Sequence, residues 1–129
     1  MPFELTIPDA VLFARVFGVF TARELNDLAS QAEIAEASHP ASLDRITDLT
    51  AVERFEVGFR EIFHFASRRS AQRFSRVVKS AIIVQEPVQL GIARIYEAIN
   101  KNPQIQVHLM RSVTEAKEWF AEPMEAPNA

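Results

Sequence analysis

Residues 11–24 read VLFARVFGVFTARE, and this stretch decides the fold. Its first seven residues are apolar except for Arg15, the composition of a strand covered on both faces. Its last four, Thr21-Ala22-Arg23-Glu24, form a capping box, in which the Thr hydroxyl and the Glu carboxylate satisfy amide donors that open a helix. Phe20 and Leu25 hold the two staple positions around that cap. A buried strand feeding a capped helix is the opening unit of an α/β chain.

Upstream, residues 3–7 and the Pro8-Asp9 pair predict a β-hairpin, since Pro presets φ for a turn. Downstream, Leu25, Leu28, Ala29 and Ala32 share one helix face, and His39-Pro40 ends that helix. Residues 43–49 (LDRITDL) read as a short strand, mainly from their place between two helices. The next helix is expected from Glu53 to about Ser70. Phe55, Phe59, Ile62, Phe63 and Ala66 follow helical spacing, and His64 projects from the opposite side. Glu53 and Glu56 at its start and Arg68 and Arg69 at its end match the helix dipole.

Residues 77–84 (VVKSAIIV) are β-branched and nearly continuous, a second buried strand. Pro87 suits the first position of a third helix, with Val88, Ile92, Ile95, Tyr96 and Ile99 on one stripe and Asn102-Pro103 closing it. Ile105, Val107 and Leu109 alternate with polar residues, as on a half-exposed edge strand. Ser112-Val113-Thr114-Glu115 is a second capping box, opening a helix that turns Ala116, Trp119 and Phe120 inward. The order β-β-α-β-α-β-α-β-α predicts an α/β fold, a single mixed, mainly parallel five-stranded sheet with four helices. One domain over residues 1–121 and a flexible tail over 122–129 (EPMEAPNA) are expected.

Composition narrows the function. The 129 residues include ten Phe, one Tyr, one Trp, three His and no Cys. Without Cys there is no disulfide scaffold, thiolate zinc site or cysteine nucleophile. The formal net charge is −3, which gives no general attraction to nucleic acid or anionic membrane. Charge is uneven: residues 1–61 carry eleven acids and five bases, whereas residues 62–85 carry five bases and no acid. The amino terminus has no signal-peptide pattern, and no apolar run approaches a membrane span. A cytoplasmic protein is expected.

The chain resembles the STAS domain group, the anti-sigma-factor antagonist fold, and more closely its STAS-like (SpoIIAA-like) bacterial branch. Four features carry the resemblance: the hairpin running into Gly18 and Thr21–Glu24; Asp48-Leu49-Thr50 closing a strand; Gly91-Ile92-Ala93-Arg94 on the third helix; and residues 114–120 at the end. It covers residues 3–120 and implies a STAS-type α/β domain. In antagonists of this group, a phosphorylatable Ser follows the Asp-Leu-Ser/Thr strand end. Residues 53–58 (ERFEVG) contain no Ser or Thr, so the resemblance implies a module without that switch. The STAS-like branch has also been linked with binding of apolar small molecules.

The candidate sites are few. Phe55, Phe59, Phe63 and Phe65 could line an apolar pocket, but a stripe of three is more simply the face that seats a helix on the sheet. Arg68, Arg69, Arg73, Arg76 and Lys79 could grip an anion, but read more simply as a solvated surface at a helix end. Asp44 and Asp48 fall on one strand face without a third ligand, so no metal site is predicted. His39, His64 and His108 have no nucleophilic partner in any known pattern, and the three Gly make no phosphate-cradling loop. No cofactor is predicted, and an enzyme is the least favoured of three readings.

Leu90 and Arg94 fall on the polar face of the third helix, where Leu90 would be an exposed apolar contact. The sequence is therefore read as a non-catalytic regulatory or protein-interaction module, acting on a protein partner or a second copy and not on nucleic acid. Its contact residues are expected among Asp48, Thr50, Arg54, Glu56, Arg69, Arg73, Leu90 and Arg94. The alternative is a sensor or carrier of a small apolar or lipid-like ligand.

Overall fold

The computed structural model describes residues 3–123. The hairpin forms as the Pro8-Asp9 pair predicts, with β1 (Phe3–Thr6) antiparallel to β2 (Val11–Thr21). Asp9 and Ala10 take left-handed φ values of 51° and 60°, which match a tight turn to the right-handed twist of a hairpin. β2 continues past residue 17 to Thr21, with register shifts on either side of Gly18. Gly18 has a φ of 73°, a bulge conformation that glycine adopts without steric cost.

Helix α1 (Ala22–Ala37) starts at the predicted capping box. Thr21 Oγ1 accepts from the Glu24 amide at 3.4 Å, and the Glu24 carboxylate accepts from the Thr21 amide at 2.7 Å. The remaining elements are β3 (Asp44–Glu56), α2 (Phe59–Ser70), β4 (Val78–Ile83), α3 (Pro87–Ile99), β5 (Ile105–Met110) and α4 (Val113–Ala121). The sheet order is β1-β2-β3-β4-β5, antiparallel only between β1 and β2. This is the mixed, mainly parallel five-stranded sheet with four helices that the sequence predicts.

Each parallel crossover steps one strand in the same direction. Right-handed crossovers therefore place α1, α2 and α3 on one face of the sheet. There Phe3, Val16, Leu28, Ile62, Ile82 and Tyr96 belong to the main core. Helix α4 follows the last strand and is free of the crossover rule. It covers β3, β4 and β5 from the other face, in a smaller core of Ile46, Ala81, Ile83, Ala116 and Trp119. β2 is consequently covered on both faces only in its first half. Val11 and Phe13 pack toward α4, whereas Arg15 and Val19 are exposed.

The largest departure from expectation is β3. It runs to Glu56, and α2 begins at Phe59 instead of Glu53. Pairing with β2 overrides the helical spacing of the Phe residues, because residues 51–56 lie in register with residues 17–21 of β2. Phe55 is thus a strand residue, edge-on to Phe20 with ring centroids 6.4 Å apart. Glu53 and Glu56 do not belong to the first helical turn, which holds Glu61. The inward face of α2 is Ile62, Phe65, Ala66 and Arg69. Phe59 and Phe63, expected in the core, are 63% and 52% exposed.

Helix α3 keeps most of its predicted stripe, with Ile92, Ile95, Tyr96 and Ile99 on the main core, and departs from it only near its start. Gln89, Ala93 and Tyr96 are buried, Val88 is exposed, and Leu90 is half-buried against the main core instead of lying on the solvent face. At α4, Ser112 accepts from the Glu115 amide at 3.2 Å, which is one half of the predicted capping box. Of the predicted tail, Glu122 accepts a hydrogen bond from Lys79 Nζ at 2.8 Å, and residues 124–129 lie outside the described residues.

Candidate functional site

Two regions stand apart from ordinary packing. The first lies inside, between the sheet and helices α1, α2 and α3. A cavity of about 80 Å³ opens there, with walls that are mostly Leu, Ile, Ala and Phe side chains. Its polar wall groups are Arg45, Thr47 and Ser80, on neighbouring strands, and Tyr96 from α3. Arg45 shares its face of β3 with Thr47 and Leu49, the face that meets the main core, so its side chain points inward and not to solvent.

Arg45 is buried, at 6% exposed, and is compensated by Glu36 near the end of α1. Its Nη2 donates to Glu36 Oε1 at 2.6 Å. Arg69, near the end of α2, reaches the same carboxylate, with Nη1 at 2.9 Å from Oε2 and 2.8 Å from Gln72 Oε1. It is 3% exposed, and its guanidinium also lies over the Phe74 ring at 5.0 Å. Arg69 was expected in a solvated surface segment. It is buried because the inward phase of α2 carries it to Glu36. Lys79 of that segment is buried as well: its Nζ donates to the Trp119 carbonyl at 2.6 Å, closing the carboxyl end of α4. Arg68 pairs with Glu33, and Arg76 with Asp44, at 2.8 and 2.9 Å.

The charge balance of this cluster is unusual. Two buried guanidiniums share one carboxylate. Arg45 Nε and both Nε and Nη2 of Arg69 are buried with no hydrogen-bond partner among the described residues. Burial, followed by the neighbouring Arg69 charge, pulls the Arg45 pKa down to about 10. Burial by itself would raise the pKa of Glu36. The charges of Arg45 and Arg69, with hydrogen bonds from Arg69 and Gln72, outweigh it and leave that carboxyl below its ordinary value.

The second region is on the surface. α2 and α3 both begin at the carboxyl end of the parallel strands, the end at which open α/β sheets place their ligands. Phe59 and Phe63 lie one turn apart there with ring centroids at 6.3 Å, and Val88 is exposed at the start of α3. Exposed large apolar side chains clustered at one end of a domain mark contact surfaces more often than isolated ones do.

The eight residues singled out from the sequence do not form one site. Asp48 and Thr50 lie within β3 at the register shift, where Asp48 Oδ1 accepts from the Thr50 amide at 2.9 Å and from its hydroxyl at 2.7 Å. They do not close the strand, so the Asp-Leu-Thr strand end that the resemblance implied is not at these residues. Arg54 and Glu56 form an exposed pair at 2.6 Å near the end of β3. Arg69 is in the buried cluster at the other end of the molecule, Arg73 is exposed just beyond α2, and Arg94 is exposed on α3. Leu90 packs inward.

Sequence reasoning missed Arg45, Glu36 and Gln89. The signal for Arg45 was its inward position in an alternating strand. Gln89 has no comparable signal. Its side chain donates to the carbonyls of Thr50 and Val52 at 3.3 and 3.2 Å, where β3 runs on beyond its pairing with β4, and accepts from the Gln85 and Glu86 amides.

Comparison with solved structures places this architecture. The chain is similar to a protein of the DUF3478 family with a SpoIIAA-like fold from Shewanella loihica. The two share 14% sequence identity at a TM-score of 0.61, over 91% of this chain and 90% of that one. The protein thus has a SpoIIAA-like fold, as the resemblance to the STAS group predicts. No protein-family model matches the chain, and no curated protein matches it. No helix among the described residues is long and apolar enough to cross a membrane.

Proposed function

We propose that this protein is a non-catalytic, cytoplasmic STAS-type regulatory module that binds a protein partner or a second copy through the start of α2. The exposed Phe59–Phe63 pair carries this reading. Burying two Phe rings is worth roughly 1.5–3 kcal/mol each, so a helix that leaves both in water gives up stability that a partner can recover. The segment from residue 53 to 62 has no Ser or Thr, which supports a module without the phosphoswitch. The Arg54–Glu56 pair would form the polar rim of the contact.

A photo-crosslinking amino acid at position 59, installed in the host of origin, tests the proposal. A discrete adduct that disappears with Phe63→Ser supports it, and its mass separates a partner from a second copy. Equal, diffuse labelling from position 59 and from exposed Ile34 on α1 would count against it.

A second reading, binding of a small apolar ligand, is favoured by the interior cavity. A retained apolar molecule in native mass spectra of protein from that host would support it.

A further inference from the structure

We infer that the free edge of β5 is a self-pairing surface, on which a second copy of this chain adds its own β5 antiparallel, about a two-fold axis at His108. This surface is separate from the start of α2, and three observations carry it.

The first is the hydrogen-bond accounting along the edge. β5 ends the sheet, with β4 on one side only. β4 engages the backbone of Gln104, Gln106, His108 and Met110: the Val78 amide donates to the Gln104 carbonyl at 2.7 Å, and the Val84 amide to the Met110 carbonyl at 2.9 Å. Alternation along the strand turns the amides and carbonyls of Ile105, Val107 and Leu109 outward. The two ends of that edge are closed. The Ile105 amide donates to the Asn102 carbonyl at 3.1 Å, and the Ile105 carbonyl accepts from Asn100 Nδ2 at 3.2 Å. Just beyond the strand, the Arg111 carbonyl accepts from Gln85 Nε2 at 3.1 Å. Between these closures Val107 and Leu109 keep both donor and acceptor open among the described residues.

The second is symmetry. Ile105 and Arg111 lie equally far from His108 in the chain, so a two-fold axis at His108 sets each closed end against the other closed end. It also sets Val107 opposite the second copy's Leu109, and Leu109 opposite the second copy's Val107. Each of those facing pairs exchanges both of its hydrogen bonds in an antiparallel ladder. The open groups are then all satisfied, and the ladder stops where Asn100, Asn102 and Gln85 close the edge.

The third is the side chains. Natural sheet edges are commonly guarded by charge, Lys above all, or by Pro. Residues 105–110 (IQVHLM) contain no Lys, Arg, Asp, Glu or Pro, so none of those charges meets its own copy across the axis. Val107 and Leu109 lie on the main-core face and would form apolar cross-strand pairs. His108, exposed and stacked on Trp119 at 4.4 Å, would lie beside its own copy on the α4 face. So short a ladder covers less than the ~800 Å² per partner of a standard interface, which makes the pairing reversible and concentration-dependent.

Amide exchange of the full chain, followed by NMR at about 50 μM and about 1 mM, tests the inference. The Val107 and Leu109 amides should exchange at least about tenfold more slowly at the higher concentration, whereas the His108 amide, already bonded to β4, should not change. Unchanged rates at Val107 and Leu109 would overturn the self-pairing. His108→Lys and His108→Glu each set like charges across the axis, so each alone should lose the concentration dependence and an equal mixture should regain it. A mixture no better than its parts would overturn the register. A thermal melt reports the fold of each variant, and the wild-type rates decide the matter if either fails to fold. Phe63→Ser, on the other surface, should leave the protection of β5 intact. Loss of protection in that variant would return self-association to α2 and overturn the β5 pairing. Protection that appears on adding host extract, and not at high concentration of the pure chain, would give the edge to a foreign strand and overturn self-pairing.

Discussion

The two ends of α2 invert the usual partition of side chains. At its start the helix presents Phe59 and Phe63 to solvent, and near its end it buries Arg69. Helical spacing says which residues share a face, but not which face turns inward. Here the inward face is set by two neighbours: β3, which runs to Glu56 and fixes where α2 begins, and Glu36, which gives Arg69 a counterion that a Phe side chain could not use.

The sharpest way to break this comparison is to remove Glu36. Glu36→Ala leaves two buried guanidiniums uncompensated and is expected to cost about 3–5 kcal/mol in urea unfolding. A loss no larger than that of Arg54→Ala would show that the buried cluster does not govern the helix phase. The Arg54–Glu56 pair is exposed and screened, and should contribute no more than about 0.5 kcal/mol. Ile62→Ala, on the inward stripe between the two Phe residues, should cost about 2–4 kcal/mol.

The pH dependence sharpens the same contrast. In the folded protein Glu36 titrates below its ordinary value of 4.5, so the unfolded chain binds more protons near that pH. Its contribution is therefore fully present above 4.5 and is lost as pH falls through the lower folded value. Facing it are Arg45, Arg69 and Gln72, of which only the two always-cationic Arg carry charge. Glu36→Gln should flatten the acid limb of the stability curve, measured as urea midpoints from pH 6 to pH 3. The smallest effect is expected at the other end: Phe59→Ser and Phe63→Ser should each change stability by less than about 0.5 kcal/mol. A loss of 2 kcal/mol or more, the range of a core substitution, would return those rings to the core.

Legibility followed the range of the interactions involved. The hairpin, the Thr21 capping box, the buried β4 and the alternating β5 are local patterns, and each stands as read. The length of β3 depends on its pairing with a β2 that is itself longer than its apolar run, and nothing within residues 50–56 reveals that partner. The phase of α2, and with it the burial of Arg69, depends on where β3 stops. The candidate site was least legible of all. Arg45, Glu36 and Arg69 come together from three elements, and a single sequence gives no reason to pair one of five bases in residues 62–85 with one of eleven acids upstream.

The position of α4 has a kinetic consequence. Among the described residues it is the last helix and lies alone on its face of the sheet, and Lys79 fastens its final turn. Its amides should therefore exchange with deuterium through a partial opening that leaves α1–α3 and their strands protected, and Lys79→Met should speed that exchange selectively. The domain would then open in two cooperative units, with the smaller one released from a single lysine.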